Sequence, residues 1–199
     1  MIGVLCSGGI DSTTLAHMAG KGLAGLIFAD YGQPSATQEQ AAVFALGARL
    51  GVMVIVVKIP MATVDEEMRI GVGAEGPRVV AARNLLLVSF AVSIACLRGW
   101  DEIWIGPTRD DWTDYPDCRI PFLGGLQACG AAYGIAIKAP LIEETGAEVG
   151  GLARLHGVDL AATWSCYEPT ATGEQCGACS SCQRRARILA PHRADWWAP

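Results

Sequence analysis

Short apolar runs alternate along the chain with longer stretches in which apolar residues recur at helical spacing. The run IGVLC (2–6) predicts a strand, and a helix follows from about Asp11 to Gly20. LAGLIFA (23–29) predicts a second strand, ending at Asp30-Tyr31-Gly32-Gln33-Pro34. TQEQAAVFALGARLG predicts an alanine-rich helix closed by Gly51. VMVIVV (52–57) is β-branched and continuously apolar, which predicts a strand buried on both faces. A polar connection bearing Gly and Pro spans 59–78, and an apolar helix follows from about Ala81 to Leu97. EIWIG (102–106) predicts a fourth strand, PTRDDWTDYPDCR a loop, residues Pro121–Tyr133 a helix, and IAIKAP a fifth strand. Thr145-Gly146-Ala147-Glu148 fits a capping box opening a short helix, and a last helix closes the chain. Strands separated by helices of this length imply an α/β fold with a doubly wound, mostly parallel sheet and ligands at the carboxyl ends of its strands. Residues 1–165 form this α/β domain, and residues 166–199 a small cysteine-bearing segment within the same structural unit.

Composition narrows the class. A chain of 199 residues buries roughly 70% of its unfolded surface, enough for a self-sufficient core. Hydrophobic residues at 51% and charged ones at 18% describe a globular protein. The formal net charge of -5 argues against a dedicated nucleic-acid binder. Met1 leads straight into the first strand without a basic leader, which predicts a cytoplasmic location. The longest uncharged apolar run, Leu85 to Leu97, is too short to cross a bilayer and reads as a buried helix.

The first strand runs into Ser7-Gly8-Gly9-Ile10-Asp11-Ser12-Thr13-Thr14. Neither G-x-x-x-x-G-K-[ST] nor G-x-G-x-x-G occurs there, so the loop lacks the lysine of a P-loop. Glycines admit a phosphate chain close to the backbone. The helix start offers unpaired N–H groups and the positive end of its dipole, and Ser7, Ser12 and Thr13 add hydroxyl donors. A tight turn that merely needs glycine would be the structural alternative.

Of eight cysteines, Cys6, Cys96, Cys118 and Cys129 are scattered and read as small buried hydrophobes. Cys166, Cys176, Cys179 and Cys182 crowd into one short segment, where a C-x9-C-x2-C-x2-C spacing supplies four thiolates for one closed, structural tetrahedral Zn²⁺. An iron–sulfur cluster is the chemical competitor. Arg184, Arg185 and Arg187 follow and read as a solvated helix face.

Three segments fall at the predicted ligand edge. Asp30-Tyr31-Gly32-Gln33 follows the second strand, and Arg83-Asn84 starts the apolar helix, where a buried arginine must be paired or meet an anion. Asp111, Tyr115, Pro116, Asp117, Cys118 and Arg119 lie on the loop after the fourth strand, a mixture suited to stacking and pairing with a planar polar heterocycle.

The S-G-G-x-D-S loop resembles that of the PP-loop (N-type ATP pyrophosphatase) enzymes, which cleave ATP between the α and β phosphates. Together with D-Y-G-Q at Asp30–Gln33, R-N at Arg83-Asn84, Y-P-D-C-R at Tyr115–Arg119 and the terminal cysteine set, it resembles the QueC family of 7-cyano-7-deazaguanine synthases over nearly the whole chain. The resemblance implies ATP-dependent conversion of 7-carboxy-7-deazaguanine and ammonia into the nitrile by way of the amide, with release of AMP and pyrophosphate. Its implied partners are a small-molecule deazaguanine, Mg²⁺, structural Zn²⁺ and a second copy of the chain, with no membrane or nucleic acid. It implies ATP contacts from Cys6, Ser7, Gly8, Gly9, Ile10, Asp11, Ser12, Thr13, Thr14, Leu15 and Ala16, with Asp11 as the acid beside the metal ion. Asp11, Ser12 and Arg83 would be catalytic; Asp30, Tyr31, Gln33, Arg83, Asn84, Asp111, Tyr115, Asp117 and Arg119 would bind the substrate. The family pattern is departed from at Pro34, Ser35 and Gln38, where it has a basic residue, a histidine and a glutamate, and at Ala81-Ala82, where it has Pro-Gly. Those departures open a diverged enzyme that stops at the amide or joins the base to another amine, for example on a protein. A PP-loop tRNA-modifying enzyme is the other reading.

Overall fold

The computed structural model describes residues 1–59, 69–70, 79–80 and 82–190. Five strands, β1 (Ile2–Leu5), β2 (Leu23–Asp30), β3 (Met53–Lys58), β6 (Glu102–Trp104) and β7 (Ala136–Lys138), form one sheet in the order β3-β2-β1-β6-β7. Every pairing in it is parallel. Arg69–Ile70 (β4) and Val79–Val80 (β5) form a separate antiparallel pair; the rest of the 59–78 connection beyond Ile59, and Ala81, lie outside the described residues. The helices are α1 (Ile10–Ala19), α2 (Ala36–Leu50), α3 (Arg83–Arg98), α4 (Ile120–Ala131), α5 (Gly146–Leu155) and α6 (Ser180–Leu189). Predicted and observed element ends differ by about two residues or fewer, the usual fraying at caps.

The alternation of β2 shows how sequence becomes layers. Leu26 and Phe28 face one side and join Val4, Leu15, Val43, Leu46 and Val149 in a core under α1, α2 and α5, with Ile188 of α6 added. Ile27 faces the other side and joins Val88, Ala91 and Ala95 of α3, Leu123 and Leu126 of α4, Ile103 and Trp100. Successive residues of a strand point to opposite faces, so one apolar run feeds two cores.

Two expectations fail for a related reason. β3 is not buried on both faces: it is the sheet's edge strand, and Met53 is 47% exposed. Helix α3 is not buried throughout: Leu85, Leu86, Phe90 and Leu97 are exposed. Cys6 and Cys118 are buried as expected, but Cys96 on α3 and Cys129 on α4 are exposed. An apolar residue reports a preference for burial, whereas the topology decides which faces have a neighbour. No described helix is long and apolar enough to cross a membrane.

The chain builds outward through β1, β2 and β3, then returns to place β6 on the other side of β1. The strand order therefore reverses between β1 and β6, and the loops leaving their carboxyl ends diverge to open a crevice there. Those two loops are 6–9 and 105–119, which carry most of the chemistry-bearing residues.

Trp100 sits on Gly3 and Gly25: a Cβ at Gly3 would lie 2.3 Å from its ring, and one at Gly25 2.9 Å. Because the indole is 4% exposed it has little room to withdraw. Gly3→Ala is expected to lower stability by about 1–3 kcal/mol, the range for overpacking, measured as an earlier urea midpoint at unchanged slope. An unchanged midpoint would refute this packing.

Candidate active site

The bend between β1 and α1 is shaped by three small residues. Gly8 has a φ of +75°, and a Cβ there would lie 2.8 Å from Ala42, so both its backbone angle and its proximity to α2 require glycine. Gly9 occupies the N-cap position of α1, and no side chain caps that end. The amides of the first turn are thus left to a ligand or solvent. Ser12 accepts from the Ser7 amide at 3.2 Å and donates to the Gly9 carbonyl at 3.3 Å, holding the bend in shape. Cys6 is buried 3.6 Å from Ser12, and Ile10 and Thr13 are buried beside it. Thr14 bonds back to the Ile10 carbonyl at 2.7 Å, while Leu15 and Ala16 pack in the core. Of the predicted ATP-contacting residues, Ser7, Gly9, Ile10 and Asp11 line an open cleft. Its other walls include Glu39, Trp164, Ser165, Tyr167, Ser181, Arg184 and Arg185.

Asp11 stands in the first turn of α1. Arg184 donates to its Oδ2 at 3.0 Å, while its Oδ1 is buried with no hydrogen-bond partner. Burial pushes the Asp11 carboxyl above the usual carboxylate range, against the pull of Arg184. A carboxylate with one buried oxygen unbonded fits a hard divalent cation accompanying a nucleotide.

A second group surrounds Arg83, the first residue of α3. Arg83 donates to the Tyr31 hydroxyl at 3.0 Å and lies over that ring, 5.8 Å from its centre. Tyr115 and Tyr167 are hydrogen-bonded to each other beside it, and burial raises the pKa of both phenols, keeping them neutral. Tyr167 also lines the cleft, so this one side chain borders both the β1–α1 bend and the Arg83 group, whereas Arg83, Tyr31 and Tyr115 are not among the cleft walls. Ala82, which precedes Arg83, has a φ of +53°, an αL conformation that strains a non-glycine residue exactly where the family pattern has glycine.

The remaining predicted substrate residues brace the loops. Asp30 accepts from the Gly32 amide at 3.1 Å. Gln33 accepts from the Tyr31 amide and donates to the Ala29 carbonyl and to Glu39. Asp117 caps α3 through the Asn84 amide at 3.0 Å, and the Asn84 side chain returns a bond to the Asp117 carbonyl at 3.1 Å. Asp111 closes a capping box with Thr108, and Arg119 donates to the Trp112 carbonyl at 2.7 Å. Cys118 is pushed up to about 12 by burial, with Asp111 and Asp117 adding to the effect, so it remains a neutral thiol.

The four sulfurs of Cys166, Cys176, Cys179 and Cys182 all lie within 4.8 Å of one another. A tetrahedral ion with bonds of about 2.3 Å spaces its sulfurs about 3.8 Å apart, so the cluster fits a single metal ion. A four-iron cube takes one thiolate at each iron and would hold them farther apart. Backbone amides already point at sulfur: Cys176 N–H bonds Cys166 Sγ at 3.2 Å and Cys179 N–H bonds Cys176 Sγ at 3.4 Å. Amide bonds from Cys179 and Ala178 bring the Cys176 thiol down to about 6, toward the thiolate a metal needs.

Sequence reasoning missed Tyr167, Glu39 and Arg184. The arginines after Cys182 are not a uniformly solvated face: Arg184 reaches Asp11, and Arg185 is buried, bonded to Thr163, Ser165 and the Leu160 carbonyl. The apolar Ile188 on the same helix, one turn on, was the available signal that α6 packs inward.

A family model described as "Queuosine biosynthesis protein QueC" matches residues 2–192. The 7-cyano-7-deazaguanine synthase 1 of Sphingopyxis alaskensis is 34% identical over 209 residues, covering 94% of this chain and 92% of the relative. The 7-cyano-7-deazaguanine synthase of Kineococcus radiotolerans is 33% identical over 209 residues, covering 92% and 90%. Among solved structures, the U34-tRNA thiolase NcsA from Methanococcus maripaludis with its 4Fe–4S cluster matches with a TM-score of 0.59 at 16% identity, covering 94% of this chain and 63% of its own. NMN synthetase from Francisella tularensis matches with a TM-score of 0.56 at 17% identity, covering 94% and 76%. The two structures establish a shared PP-loop fold, and the sequence matches establish more: this chain belongs to the QueC family.

Proposed function

We propose that the chain is an ATP-dependent 7-cyano-7-deazaguanine synthase, converting 7-carboxy-7-deazaguanine and ammonia into the nitrile. The observation that carries this reading is an uncapped, lysine-free bend opening on a cleft whose wall residue Tyr167 also belongs to the tyrosine group around the buried Arg83. The named activity of relatives about one-third identical over nearly the whole chain supports it.

Each of the two groups has a task. The amides at the start of α1 and the hydroxyls of Ser7 and Ser12 bind the departing pyrophosphate, where a γ-phosphate-directed lysine is not required. Asp11 holds the Mg²⁺ that accompanies ATP. Arg83 pairs with the substrate carboxylate, and Tyr31, Tyr115 and Tyr167 flank the planar base. The carboxylate oxygen attacks the α-phosphorus, displacing pyrophosphate and leaving an acyl-adenylate. Ammonia adds, AMP leaves, and the amide results after loss of a proton. The amide oxygen then attacks the α-phosphorus of a second ATP, displacing a second pyrophosphate, and elimination of AMP with loss of the two N–H protons leaves the nitrile. Adenylation turns a poor oxygen leaving group into AMP, so the protein contributes position and electrostatics rather than a nucleophile.

The alternatives lack comparable support. Sulfur transfer by a tRNA-modifying enzyme calls for a reactive cysteine, whereas burial raises the pKa of both Cys6 and Cys118. The relatives' names carry no suggestion of an amide product or a protein acceptor. Zn²⁺ is the metal that best fits the four thiolates, in a closed structural site. The uncharged exposed residues of α3 and α4, including Leu85, Phe90, Leu97 and Ile120, suit a homodimer interface.

Purified protein with 7-carboxy-7-deazaguanine, ammonium, Mg²⁺ and ATP is expected to yield nitrile with two AMP and two pyrophosphate per product, read by mass spectrometry. AMP with amide alone would overturn the nitrile reading. Asp11→Asn should lower the rate at least about 100-fold, as losses of directly acting charged groups do, with Tm and metal content retained; near wild-type turnover would remove Asp11 from the metal-binding role. Cys179→Ser should lower zinc content and soluble yield together, because structural zinc contributes folding free energy. A soluble, zinc-free and active variant would contradict the structural assignment. Leu97→Glu should convert a dimer to monomer by light scattering, and an unchanged mass would exclude the α3 face.

A further inference from the structure

Beyond the Mg²⁺ that accompanies ATP, no cationic side chain is yet assigned to the triphosphate. Arg184 lies on α6, two residues past Cys182, and lines the cleft with Ser7, Gly9 and Asp11. Its Nη1 donates to Asp11 Oδ2 at 3.0 Å and its Nη2 to Thr108 Oγ1 at 3.2 Å. Its Nε is 4.0 Å from Asp110 and, though buried, has no hydrogen-bond partner; Asp11 Oδ1 is orphaned in the same way. The contact thus leaves one buried donor and one buried acceptor unmatched on the two partners of a single ion pair, a combination rare in folded proteins.

The other cleft arginine is committed elsewhere. Arg185 is 9% exposed, and its guanidinium is bonded to Thr163, Ser165 and the Leu160 carbonyl. The bend itself carries no lysine or arginine. Asp11, Asp110 and Asp111 all act electrostatically on Arg184, so without it this end of the cleft would repel phosphate.

We propose that Arg184 is the phosphate-binding cation of the nucleotide site, held by Asp11 until the nucleotide arrives. Binding exchanges partners: the guanidinium moves to phosphate oxygens, for which its planar fork is suited, and Asp11 is released toward the cation that accompanies them. This rests on the reading of the β1–α1 bend as an ATP site. It also gives the four-cysteine cluster a second consequence, because Cys179 caps α6 and Cys182 lies in its first turn, two residues before Arg184. A metal ion held by the four cysteines would fix the start of α6 and with it the position of Arg184.

The test measures binding of α,β-methylene-ATP with Mg²⁺ by calorimetry, using the zinc-loaded full chain and its Arg184→Gln and Arg184→Lys variants, beside Tm and zinc content. Arg184→Gln is expected to weaken binding about 10- to 100-fold, the effect of losing a charge-assisted contact, and Arg184→Lys to recover part of it, with zinc content unchanged. A purely structural ion pair would lower Tm and leave the Kd in place, which overturns the proposal. If the Gln variant does not fold, Arg184→Met takes its place, and a wild-type Kd in that uncharged variant overturns the proposal. Wild-type protein that binds no analogue would sink the ATP-site reading itself, whereas wild-type and variants binding alike would sink only the role of Arg184.

Discussion

The amide of Trp164 donates to the carbonyl of Gly8 at 2.8 Å, fastening a segment near the end of the chain onto the first bend of the sheet. The site is assembled along that seam. On one side lie β1, the glycines and the open start of α1; on the other lie Cys166, Tyr167 and α6. Arg185 stitches the second side together through Thr163, Ser165 and Leu160, while Ile188 anchors α6 in the core beneath α1 and α5. Neither side encloses a ligand alone. A bend that exposes amides needs a wall to exclude water from them, and a four-cysteine loop without a sizeable core needs a metal ion to stay folded.

This arrangement accounts for a phosphate loop that dispenses with lysine. Helix amides and the dipole offer partial charge that needs no side chain. Full charge is brought by α6, from a part of the sequence remote from the bend, and the acidic groups nearby keep it in place until a ligand competes. On the acceptor side, Arg83 is fixed by Tyr31 and by the strained start of α3, which Asp117 caps. The loops at the switch point are therefore rigid because their own polar groups bind one another, so few side chains remain uncommitted to meet a substrate.

Much of this was legible in the chain. Alternating short and long apolar segments indicated a parallel α/β sheet, and Gly8-Gly9 between a strand and a helix indicated the tight bend observed there. The spacing of Cys166, Cys176, Cys179 and Cys182 indicated one tetrahedral metal. What stayed illegible depends on the topology. The Asp11–Arg184 contact joins residues 173 positions apart, and no local pattern encodes it. Tyr167 belongs to no local motif, and only the fold brings it beside Arg83. The strand 53–58 and the helix 83–98 read as buried because apolar composition does not say whether a neighbouring element covers each face. Asp117, Asn84 and Gln33 were conspicuous as polar groups in loops, but the bonds that commit them to bracing become visible only in three dimensions.

The central claim is that the β1–α1 bend cradles the leaving pyrophosphate. A crystal structure with α,β-methylene-ATP and Mg²⁺ tests it most directly. The account predicts β- and γ-phosphate oxygens within hydrogen-bonding distance of the amides at residues 9–12, with the α-phosphate turned toward Arg83. A triphosphate bound elsewhere, or a bend filled by side chains in the presence of saturating nucleotide, would contradict it.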